Sequence, residues 1–115
     1  MQHEPEGFLF EVLEAAISVA SFLDGVSLEN FLASDLIRSA VERKFITIGE
    51  ALGRLEKMEP SAVSRLGDIR NIIGFRNRLV HGYRFVEPKR VYQISQIDLP
   101  ILKSVVEKLL EKSKL

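Results

Sequence analysis

A chain of 115 residues, 46% of them apolar, is sized for a single domain, residues 1 to 115, with one modest core. The absence of cysteine excludes disulfides, thiolate metal sites and a cysteine nucleophile, and the only histidines, His3 and His81, are too far apart in sequence to suggest a multi-histidine zinc site. Sixteen basic and sixteen acidic side chains cancel overall, yet residues 1 to 64 carry five basic against eleven acidic, whereas residues 65 to 90 carry seven basic (Arg65, Arg70, Arg76, Arg78, Arg84, Lys89, Arg90) against Asp68 and Glu87. A local basic patch on a neutral chain suits a polyanion held at one place better than a coat of long nucleic acid. The competing reading is a solvated basic face paired with acidic helices of the first half.

Apolar residues recur at helical spacing almost throughout, and no period-two run is long enough for a strand, which predicts an all-α fold. FLFEVLEAAISVASFLDG, residues 8 to 25, reads as an amphipathic helix stopped by Gly25, and Ser27 is placed to cap a short turn after it. Ser34 or Asp35 can cap a long helix through DLIRSAVERKFITIGEALGRLEKM, with Pro60 marking its end. A third long helix is expected over roughly residues 67 to 82 with Gly82 as terminator. VEPKRVYQISQ predicts a short helix with Pro88 in its first turn, and DLPILKSVVEKLLEK a last one with Asp98 as cap and Pro100 in its opening turn. Short connections between long helices favour antiparallel neighbours, so the expected architecture is an up-and-down bundle of four to five helices. The opening MQHEPEG lacks a basic stretch followed by an apolar core, and no apolar run approaches a membrane span; the expectation is a soluble, cytoplasmic protein.

The third helix carries the chemistry. With about 100° per residue and Arg76 at zero, Ile69, Ile72, Ile73, Leu79 and Val80 all fall within about 60° of it, so a charge sits amid the apolar arc. A buried arginine is costly without a partner. Glu50 or Asp35 from another helix could supply one, as could a subunit interface. Asn77 and His81, four apart, stack at one flank, and Tyr83 returns to nearly the azimuth of Arg76 if the helix persists. Arg, Asn, His and Tyr are therefore expected to converge toward one rim. Cleaving RNA without a metal or cofactor needs a group to move the proton of the 2′-OH or of the leaving oxygen, which suits His near neutral pH, and a fixed cation on the phosphoryl oxygens, which suits the planar Arg fork; one such set is a thin active site by itself.

RNRLVHGY, residues 76 to 83, carries the R-x-x-x-x-H-x-Y signature and resembles the HepT-like proteins of the HEPN group of helical ribonucleases. ERKFITIGEALGRL, residues 42 to 55, is similar to the family's I-G-E-A helix, and QIDLPILKSVVEKLL to its C-terminal helix. Members often have a Pro-Trp pair shortly before the motif, whereas this chain has no Trp and has Ile69 near that place. The resemblance implies a homodimer with two motifs facing each other across the interface, Arg76 and His81 catalytic, Asn77 assisting, and Arg70, Arg78 and Arg84 contacting RNA, with tRNA among the candidate substrates. It also implies the toxic half of a type VII toxin-antitoxin pair, in which a minimal nucleotidyltransferase antitoxin, MntA, adds AMP to Tyr83 and so blocks the site. The alternative is a non-catalytic helical partner or substrate-binding subunit of a nucleotidyltransferase. The chain is not that enzyme itself, since it has no Gly-Ser followed by a spaced Asp-x-Asp pair, no P-loop and no G-x-G-x-x-G turn.

Overall fold

A computed structural model describes residues 5–67, 69–81 and 86–113, and every regular element among them is helical. Helix α1 spans Pro5–Phe22 and ends as the chain turns through Gly25 at φ +72°, a conformation open to a residue without Cβ. Ser27 caps α2, Leu28–Ala33, its hydroxyl oxygen accepting the Asn30 N–H at 3.1 Å. Ser34, rather than Asp35, caps α3, Asp35–Met58, by accepting from the Ile37 N–H. Each cap satisfies an orphan donor of a first turn, worth about 1 kcal/mol. Asp35 instead pairs with Arg38 at 3.3 Å.

Helix α1 begins three residues earlier than expected, and three further boundaries differ. Pro60 both follows the end of α3 and opens a short helix, α4, Pro60–Ser64, because proline's fixed φ suits a first helical position as well as it stops a preceding helix. Helix α5 begins at Arg70, not near 67, after a turn through Gly67 at φ +81°. It runs to His81, while Gly82, the expected terminator, lies outside the described residues, as do Tyr83 and Arg84. The third difference is near the C-terminal end. Asp98 caps nothing: α6, Pro88–Gln93, passes through a π-helical segment, Ile94–Asp98, directly into α7, Leu99–Ser113. The Leu99 N–H reaches back to the Ile94 carbonyl, five residues away. Widening the turn there accommodates Pro100, which has no N–H and whose ring would press on the carbonyl four residues back in a regular α-helix.

Helix α3 is the centre of the bundle, packed between α1 and α5 and touching α2 and α4, while α7 lies against α1 and α6 against α2. Its inward stripe, Val41, Phe45, Ile48, Leu52 and Leu55, follows helical spacing and is wholly buried. Each such side chain contributes about 1.5 to 3 kcal/mol by leaving water. Val12 and Val19 of α1, Phe31, Val91, Ile94 and Val106 close the core around it. Tyr92 of α6 stacks at a tilt on Phe31, 5.4 Å between ring centres, and its hydroxyl donates to the Val26 carbonyl at 2.8 Å. Among the described residues no helix is long and apolar enough to cross a membrane.

Candidate active site

Helix α5 is fixed on α3 by its apolar side. Ile72 and Phe75 are buried, and the Phe75 ring meets Phe45 edge-on, 5.2 Å between centres at 86°. Ile69, just ahead of the helix, is buried as well and fills that part of the core without a tryptophan. Ile73 and Leu79 are only half-buried, and Val80 is 44% exposed. The core therefore covers the Phe75 side of the apolar arc, and Arg76 stands at the edge of the covered zone, not at its centre. Its side chain retains 24% of its exposure.

Glu50 of α3 is the partner that Arg76 finds. Nη2 lies 3.3 Å from the Glu50 Oε2, and Nη1 donates to the Asn77 Oδ1 at 2.9 Å. Nε is buried and has no hydrogen-bond partner among the described residues. An unsatisfied buried donor is expensive enough to call for a reason. The approach of the two helices depends on Gly49, which is buried directly beneath the Arg76 stem: a Cβ added there would collide with the Cβ and Cγ of Arg76. The four residues I-G-E-A thus have separate duties. Ile48 and Ala51 belong to the core, Gly49 lets the arginine lie flat on α3, and Glu50 holds its guanidinium.

The expected convergence is partial. Arg76 and Asn77 are joined by a hydrogen bond, whereas His81 is exposed in the last turn of α5. Five residues separate it from Arg76, about 140° around the helix and about 7.5 Å along it. Asn77 lies one turn before His81 on the same side, so the polar path runs from guanidinium to amide toward imidazole. Of the arginines expected at RNA, Arg70 and Arg78 line one cleft of about 150 Å³ between α5 and α6, away from the Arg76 side. Arg90 of α6 completes that cleft; the sequence shows it only as one more member of a basic stretch. Among the described residues no three His, Cys, Asp or Glu side chains gather as ligands of a metal ion.

The described residues thus form an all-helical bundle that carries a fixed Arg-Asn pair and an exposed His on one helix. The chain belongs to the HepT-like family: residues 12–109 match the family model described as "Ribonuclease HepT-like". Among curated proteins it is similar to "Putative RNase MJ1216" of Methanocaldococcus jannaschii, 26% identical over 106 residues that cover 92% of this chain and 87% of the relative. It is similar also to "Putative RNase TTE0752" of Caldanaerobacter subterraneus subsp. tengcongensis, 26% identical over 96% of this chain and 97% of the relative. "Probable ribonuclease HepT" of Thermococcus cleftensis is 29% identical over 95% of this chain and 98% of its own length. No solved structure matches the chain.

Proposed function

We propose that the protein is a metal-independent ribonuclease, the toxic half of a type VII toxin-antitoxin pair, acting as a homodimer on RNA through Arg76, Asn77 and His81. The observation that carries this reading is Arg76, which α3 and Asn77 hold in place while its fork stays open to solvent in part. Family membership and relatives named as ribonucleases point to RNA as the substrate class. His81 takes the proton from an attacking oxygen or gives one to the leaving oxygen. Arg76 meets the charge that builds on the phosphoryl oxygens, and a pre-positioned cation needs no rearrangement at that moment. Val80, exposed, and Ile73, only half-buried, would be covered by a second copy, bringing two motifs to one cleft. AMP added to Tyr83, two residues after His81 in the chain, by a partner nucleotidyltransferase of the MntA kind would add negative charge to the motif and keep RNA away.

The test is cleavage of a defined tRNA with EDTA present, comparing the parent chain with Arg76→Ala and His81→Ala. Cutting by the parent alone, with both variants folded, is the expected result. Cutting that survives His81→Ala refutes the catalytic role. If none of the three cuts and mass spectrometry finds Tyr83 bare, the chain is a binding subunit and not a nuclease.

A further inference from the structure

We propose that the cleft walled by Arg70, Arg78 and Arg90 binds a phosphate group of the nucleic acid that the chain acts on, at a subsite separate from Arg76 and His81. The inference rests on the ribonuclease reading for the identity of the strand, and on the cleft itself for the phosphate.

Three arginines, Arg70, Arg78 and Arg90, line a space of about 150 Å³, and no carboxylate among the described residues lines it. Arg78 and Arg90 bring two positive charges from different helices to one small space, and an anion there offsets their repulsion. The volume has room for about five waters, the scale of a hydrated phosphate group, and is well below the several hundred Å³ of pockets that enclose whole small molecules. Asn71 adds a neutral polar group, and the buried Phe75 and Ile94 back the cleft with low-dielectric surface that strengthens charge pairing. Guanidinium forks fit phosphate oxygens two at a time.

Gly74 is the second observation. It lies within α5 and lines the cleft, where glycine disfavours the helix relative to alanine. Packing does not require it, since an added Cβ would meet nothing within 4 Å. Its absent side chain leaves the helix surface open to a close-lying group. Gly74 is seven residues before His81, two turns and about 10.5 Å along the same face of α5. At roughly 3.4 Å of axis per phosphate in a stacked strand, an anchored phosphate would lie about three positions from a bond presented to His81.

The experiment measures binding of a 2′-O-methylated RNA oligonucleotide, which offers no attacking 2′-OH, to the intact chain and to Arg90→Gln and Gly74→Ala, across a range of salt. Arg90→Gln is expected to weaken binding about tenfold and to lower the slope of log affinity against log salt by about 0.7. Gly74→Ala should melt at a higher temperature yet bind more weakly, a combination that no loss of structure produces. Unchanged affinity and slope in Arg90→Gln, or undiminished binding in Gly74→Ala, overturns the proposal. So does a polyglutamate peptide that binds with the same dependence on both residues. Oligonucleotides with a 5′-phosphate or a 5′-hydroxyl separate a terminal phosphate from an internal one: an Arg90 effect confined to the former assigns the end, and an equal effect the backbone. If the chain binds in this way but cuts no RNA, the subsite stands and the ribonuclease reading fails; cutting with affinity unaltered in both variants gives the reverse.

Discussion

Replacing Gly49 by alanine tests whether α3 and α5 approach as closely as the arginine site requires. In most helix interiors that change is favourable by up to about 1 kcal/mol, because alanine restricts the unfolded chain and favours the helix. At Gly49 the new methyl would overlap the Cβ and Cγ of Arg76. Those atoms are the root of the side chain and cannot swing aside, so the two helices must separate. Overpacking of this kind costs about 1 to 3 kcal/mol. Taking the upper value and subtracting the gain in helix propensity leaves a loss of about 2 kcal/mol, a fall in melting temperature of about 8 °C for a domain of this size. Gly53, on the same helix with nothing within 4 Å of an added Cβ, is the internal control, and its alanine variant should rise by up to about 4 °C. The assay is thermal denaturation of the three chains followed by circular dichroism, with RNA cleavage measured below the transitions. Activity of Gly49→Ala should drop further than its stability accounts for, because Arg76 moves away from Glu50. A Gly49→Ala chain as stable as Gly53→Ala refutes the close approach and the explanation of the I-G-E-A helix built on it.

Glu50→Gln keeps the shape and removes the charge: a half-exposed pair contributes only about 0 to 1 kcal/mol, so the melt should barely move while kcat falls about tenfold, and an unchanged kcat would make the pair a surface ornament of stability only. Burial pushes the Glu42 carboxyl above the usual carboxylate range, opposed by Arg38 and reinforced by Asp35. A raised folded-state pKa means stability that is complete below the unfolded pKa and lost as pH rises through the folded one. The melting temperature of Glu42→Gln relative to the parent should therefore increase from acid toward neutral pH, and a difference that shrinks over that range contradicts the burial argument. Tyr83→Phe should yield a nuclease that a cognate nucleotidyltransferase cannot silence, read by cleavage after incubation with that partner and ATP; normal silencing would remove Tyr83 from the scheme.

Much of this architecture follows from local chemistry. Ser27 and Ser34 cap the helices that follow them, and Gly25 takes the left-handed turn its position suggests, because caps and turns are decided within a few residues. Glu50 is one of two carboxylates that the sequence offers Arg76, and the packing of α3 on α5 selects it over Asp35. Other features depend on contacts between distant segments. Arg90 reaches the Arg70 and Arg78 cleft only because α6 folds back beside α5, and nothing in the local pattern distinguishes it from Lys89. The apolar arc around Arg76 is wider than the core that receives it, so periodicity alone places the arginine deeper than it lies. Asp98 and Pro100 have the composition of a helix start, but a π turn lets the chain continue, a choice settled by the fit of both halves to the bundle.

That π turn makes α6 and α7 a single rod with two phases. An extra residue in the turn rotates everything on one side by about 100° relative to an uninterrupted helix. One phase brings Tyr92 to Phe31, and the other brings Leu99, Leu102 and Val106 into the core. Length in this stretch is therefore equivalent to angle. Removing any one residue between 94 and 98 would restore a regular helix, drive Pro100 against the preceding turn, and swing the α6 face that carries Arg90 out of line with α5. At the exposed positions of the turn, Gln96 and Ile97, change should be tolerated as substitution and resisted as deletion, since only deletion resets the phase that aims the arginine.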